Sequence, residues 1–77
     1  MKVVEIRFED ALYKCYPTRP SAERTQYIVA GIGSITLARD TGTVLEVAPV
    51  MRHGALTLTK LAPLLQEAAP LVDKRVA

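Results

Sequence analysis

His53 and Cys15 are the side chains best suited to chemistry near neutral pH, and each is the single residue of its type in the chain. A histidine changes charge near physiological pH, so His53 could act as a general base, alone or paired with its twin across a dimer axis. No Cys, Asp or Glu stands close to it in sequence, and Arg52-His53-Gly54 reads as a solvated loop. Cys15 lies between Lys14 and Tyr16. The lysine would lower the thiol pKa slightly, yet the usual fate of such a residue is a small buried apolar side chain. A lone cysteine makes no internal disulfide, and no zinc-ligand spacing is present. The expectation is no catalytic residue, no metal and no cofactor.

Two short strings resemble sites of known chemistry. Asp40-Thr41-Gly42 matches the triplet of aspartic proteases, in which two aspartates share a proton. With one copy per chain that chemistry needs a homodimer, and Arg39 stands where that family has an apolar residue. A hairpin turn explains the same residues with no further assumption. Gly31-Ile32-Gly33-Ser34 resembles part of a phosphate-binding loop. Such a loop needs a helix behind it, whose N-terminus holds the anion. Ser34-Ile35-Thr36-Leu37 is strand-like instead, so the glycines are expected to kink a strand.

The basic and aromatic residues offer binding rather than catalysis. Lys14, Arg19 and Arg24 are interleaved with Tyr13, Tyr16 and Tyr27 around a polar connector. Arginine with tyrosine is enriched at protein–protein hot spots and also stacks on bases and holds phosphates. The candidate partner-binding set is therefore Tyr13, Tyr16, Arg19, Arg24, Leu64 and Leu71. The alternative set, for nucleic acid, is Lys14, Arg19, Arg24, Arg39 and Arg52. The net charge is +2, and residues 1–38 and 39–77 each carry five basic and four acidic groups. Such an even mixture is weaker than a dedicated nucleic-acid binder shows.

What must position these residues is a single domain, residues 1–77, since the chain is too short for two. Its composition is 49% apolar and 23% charged, which fits a folded chain. One Phe and three Tyr are the only aromatic residues, so the core must be aliphatic. A small aliphatic core favours association with a second copy. No apolar run is long enough to cross a membrane, and Met1-Lys2-Val3-Val4-Glu5 lacks a signal peptide's apolar segment. A cytoplasmic location is expected.

Period-two alternation puts Val4, Ile6 and Phe8 on one side of a strand and Glu5, Arg7 and Glu9 on the other. Residues 9–16 are ambiguous: a two-residue hairpin loop needs a positive φ, which Glu9 does not favour, so a bend or bulge competes with a second strand. Residues 17–25 read as a connector with two prolines. Residues 26–38 read as strand interrupted by Gly31 and Gly33, and Asp40 and Gly42 turn the chain into a strand from Thr43 to Val47. Leucines at spacings of three and four from Leu58 predict two short helical segments, roughly 60–68 and 70–75, kinked between, with Pro63 and Pro70 each lacking a backbone N–H.

The fold class expected is α+β: an antiparallel sheet of three to four strands with kinked C-terminal helical segments on one face. The core expected is Val4, Ile6, Phe8, Ile35, Leu37, Leu45, Val47, Leu61, Leu65 and Ala68. Truncating Phe8 or Leu65 to Ala is expected to cost roughly 2–5 kcal/mol. Exposed strand edges and leucines in excess of one helix face point to contact with a protein. The expected function is a non-catalytic protein–protein interaction module. It would be a small regulator or inhibitor, of the kind phages and mobile elements encode, acting as a homodimer. The alternative is a nucleic-acid-associated protein. An enzyme would require symmetry to assemble a site around His53 or Asp40.

Overall fold

Alternation along the first strand sets the whole sheet. β1 (Val4–Phe8) buries Ile6 and half-buries Val4 and Phe8, while Glu5 and Arg7 stay exposed. The computed structural model describes residues 3–18, 21–50 and 54–69. β1 is followed by β2 (Ala11–Thr18), β3 (Arg24–Val29), β4 (Gly33–Ala38), β5 (Val44–Pro49) and one helix, α1 (Gly54–Ala68). The five strands form an antiparallel meander in chain order. The class is α+β as expected, with more strands than expected and, among the described residues, one continuous helix.

The additional strands come from two tight hairpins. Phe8 pairs with Ala11, so Glu9-Asp10 is a two-residue loop. Glu9 adopts φ 57°, the left-handed conformation that such a loop demands and that Glu was expected to resist. The span 26–38 is two strands, not one kinked strand. Val29 pairs with Gly33, Gly31 turns at φ 79° between them, and the Ile32 N–H donates to the Val29 carbonyl at 3.0 Å. Gly33 serves a different end. A β-carbon there would overlap the Ala48 carbonyl and sit 2.7 Å from Leu58 Cδ1. Its missing side chain lets β5 and α1 close on β4.

The β4–β5 turn is the expected glycine-terminated hairpin. Asp40 Oδ1 accepts the Thr41 N–H at 2.7 Å, Gly42 has φ 77°, and the Gly42 N–H donates to the Ala38 carbonyl at 2.8 Å. Beyond it the register slips: Thr36 pairs with Glu46 but Leu37 pairs with Val44. Leu45 is the extra residue of a β-bulge. The bulge turns Val44 and Val47 inward and leaves Leu45 49% exposed. Leu45 is therefore not a core residue, contrary to expectation.

α1 also departs from expectation. It begins at Gly54, not at residue 60, and carries Pro63 in its interior. Leu58, Leu61 and Leu65 are completely buried at helical spacing, and burial on that scale outweighs the lost backbone hydrogen bond. Ala69, just beyond the helix, is buried and Ala68 exposed, one residue away from the expected position. The predicted segment 70–75 lies outside the described residues.

The core joins Ile6, Cys15, Tyr27, Val29, Ile35 and Leu37 of the sheet to Leu58, Leu61, Ala62 and Leu65 of the helix. β2 pairs with β1 through Ala11–Cys15 and with β3 through Cys15–Thr18, so Cys15 is the point where the sheet passes from one half to the other. α1 packs on β1, β4 and β5 but not on β2 or β3. A helix can reach both outermost strands only if the sheet curls around it. The Gln66 side-chain oxygen also accepts the Val44 N–H at 3.3 Å, occupying part of the β5 edge.

Candidate interaction surface

With α1 filling the inner side, the outer side of the sheet is uncovered by any element among the described residues. Register aligns Tyr16, Ile28, Ser34 and Ala48 across β2 to β5, and Thr18, Gln26, Thr36 and Glu46 in the next row. Leu12 and Lys14 continue this face along β2, opposite Arg7 and Glu5 of β1. Leu12 (48% exposed), Tyr16 (40%) and Ile28 (38%) are apolar groups open to solvent. Tyr16 and Ile28 are direct cross-strand neighbours, which makes them one surface feature.

Polar side chains brace this face. Thr18 Oγ1 donates to Gln26 Oε1 at 3.4 Å, and Gln26 Nε2 donates to Ser34 Oγ at 3.3 Å. Ser34 and Thr36 are buried although their register places them on this face. Arg24 borders two open grooves. One of about 450 Å³ is lined by Ala22, Glu23, Arg24, Ala38, Asp40 and Leu45. The other, of about 290 Å³, is lined by Ser21, Arg24, Gln26, Thr36 and Glu46. Acidic residues share both grooves with Arg24: Glu23 and Asp40 line the first and Glu46 the second.

The residues singled out by sequence separate in space. Lys14, Tyr16 and Arg24 share the outer face, all exposed. Tyr13 points to the other side of β2, half-buried against the core, and Tyr27 is buried. Leu64 is half-buried against the core from α1. Arg39 donates from Nη1 to the Ser21 carbonyl at 2.8 Å while its N–H donates to the Glu23 carbonyl, so it ties the β2–β3 connector to β4. Ser21 Oγ completes that tie by accepting the Glu23 and Arg24 N–H groups at 3.2 and 3.1 Å. Arg19, Arg52, His53 and Leu71 lie outside the described residues.

Leu12 and Ile28 are the surface residues that sequence reasoning missed. Each belongs to an alternating string, Leu12-Lys14-Tyr16 and Arg24-Gln26-Ile28, and those strings were the available signal.

The chemistry of Cys15 follows from its burial. Desolvation pushes its thiol up to about 11, opposite to the lowering that Lys14 suggested. The Tyr27 hydroxyl is pushed up as well, first by burial and then by the nearby Cys15 charge. Both groups stay protonated at neutral pH. Among the described residues, no three His, Cys, Asp or Glu side chains are grouped to hold a metal ion. No buried polar side-chain atom among them lacks a hydrogen-bond partner. No helix among them is long and apolar enough to cross a membrane. No family model, curated protein or solved structure matches the chain.

Proposed function

We propose that this chain is a non-catalytic protein-interaction module, a small regulator or inhibitor that acts by contact and works as a homodimer. The outer face of its sheet is the surface offered to the partner. The observation that carries this reading is the exposed cross-strand pair Tyr16–Ile28, with Leu12 on the same face. An aromatic and two aliphatic groups ringed by polar side chains resemble the centre and rim of a protein interface. The charge pattern argues the same way. Glu5 faces Lys14, and Glu23, Asp40 and Glu46 line the grooves that Arg24 borders. A phosphate backbone would meet carboxylates as well as cations on this face.

The test is capture from nuclease-treated lysate of the source cells, comparing the parent with Ile28→Glu. Because Ile28 lies on the surface, the variant should keep its melting temperature. A protein retained by the parent and lost by the variant supports the reading. Equal retention by both, or capture that disappears with nuclease treatment, overturns it.

A further inference from the structure

We propose that the free edge of β1 is the seam of the homodimer, where β1 of a second copy pairs with it antiparallel about Ile6. This deepens the reading of the chain as a dimeric interaction module, and it names the surface on which the second copy sits.

β1 is an outermost strand of the sheet, and among the described residues β2 is its only strand neighbour. Its ladder assigns the free groups. Phe8 and Ala11 close a two-residue loop and so form a hydrogen-bonded pair. Alternation then turns the N–H and C=O of Val4, Ile6 and Phe8 toward β2, and those of Glu5 and Arg7 toward the open edge. Among the described residues no side chain and no other backbone segment hydrogen-bonds to these outward groups. Such an edge is a template for another strand.

Symmetry and charge select one register. Two copies of β1 related by a two-fold axis must pair residues whose numbers sum to a constant. An odd sum sets inward side chains against outward ones, which the pleat forbids. A sum of ten places Glu5 opposite its own copy, and a sum of fourteen places Arg7 opposite its own copy, so each sets like charges together. A sum of twelve places Glu5 opposite Arg7 twice. It pairs the four outward N–H and C=O sets as hydrogen-bonded partners and centres the axis on Ile6. Opposite charges directly across a ladder are stabilising and like charges are not. The same register sets Val4 against Phe8 on the inner side, and these are the two apolar residues of β1 left half-buried in the single chain. The product is one continuous sheet of both subunits, closed at this edge.

Sedimentation equilibrium over a concentration series tests the seam. The parent should double its mass with rising concentration. Arg7→Glu sets two glutamates against each other, and Glu5→Arg sets two arginines, so each alone should weaken self-association at least tenfold. An equimolar mixture of the two variants should restore the doubled mass, because every facing pair is then of opposite charge. Amide exchange at Glu5 and Arg7 should slow with association in the parent. A parent that stays monomeric up to millimolar concentration overturns the proposal, as does a pair of charge variants that associate as well as the parent. Ile28→Glu should leave the dimer intact, so failure of the seam and failure of the outer-face reading are told apart.

Discussion

Gly33 of β4 and Ala48 of β5 approach so closely that a β-carbon on Gly33 would overlap the Ala48 carbonyl oxygen. Leu58 Cδ1 and Pro49 Cα would lie 2.7 and 2.8 Å from the same added atom. A backbone oxygen and a backbone carbon cannot move aside as a side-chain end can, and the φ of 154° is itself unfavourable for other residues. Gly33→Ala should therefore lower stability by about 3 kcal/mol, combining overpacking with backbone strain. Gly31→Ala is the comparison. No atom lies within 4 Å of its added carbon, and only its φ of 79° is strained, so about 1 kcal/mol should be lost. Urea unfolding of the two variants measures the difference, and equal losses would place Gly33 away from the β4–β5–α1 contact.

Glu9 holds a left-handed conformation at the first position of its hairpin loop, where glycine carries no such penalty. Its side chain is exposed, so little is lost by removing it. Glu9→Gly should raise stability by about 1 kcal/mol, or roughly 4–8 °C in Tm for a domain of this size. Thermal unfolding followed by circular dichroism reads this directly. An unchanged or lower Tm would mean that the left-handed turn is not the strained point of β1–β2.

These two positions also show why only part of the molecule is legible in sequence. Alternation places Val4, Ile6 and Phe8 correctly, and three-four spacing places Leu61 and Leu65, because both patterns are local. Leu45 is misplaced because a bulge is decided by the partner strand, not by β5 itself. In sequence Gly31 looks like a kink, because a turn residue inside a β-rich run has the same signature in either setting. The surface suffers from the same dependence on register. Lys14, Tyr16 and Arg24 stand out by type, whereas Tyr13 differs from Tyr16 only in which way its strand face points. Leu12 and Ile28 become surface residues only once α1 has claimed the opposite side.

Pro63 is exposed and sits well inside α1. It supplies no N–H to the Thr59 carbonyl four residues back, and its ring crowds that turn. Helix-interior proline is about 3 kcal/mol less favourable than alanine. Pro63→Ala should stabilise the protein by about 2 kcal/mol or more, because no buried contact is surrendered. A rise in the urea midpoint with an unchanged slope would record it. A loss of stability would show that α1 depends on the proline to fit the curled sheet.

Cys15 makes stability fall in alkali, and the sign follows from its protonation in each state. The exposed thiol of the unfolded chain ionises near 9.0, whereas the buried thiol of the folded chain holds its proton up to about 11. Between these values the folded state binds more protons than the unfolded one, so stability decreases as pH rises. The contribution is fully present below pH 9 and lost by pH 11. Each unit of displacement is worth about 1.4 kcal/mol, and the loss across the window is of that order. Tyr27 ionises later than an exposed tyrosine for the same reason and steepens the upper end. Cys15→Ala should unfold more easily at neutral pH because it leaves a small void. Its stability should nevertheless decline less steeply than the parent's between pH 9 and 11. Urea unfolding at several pH values gives both slopes. Parallel declines would show that the Cys15 thiol ionises as freely in the folded protein as in the unfolded chain, which is incompatible with a side chain closed off from solvent between β1 and β3.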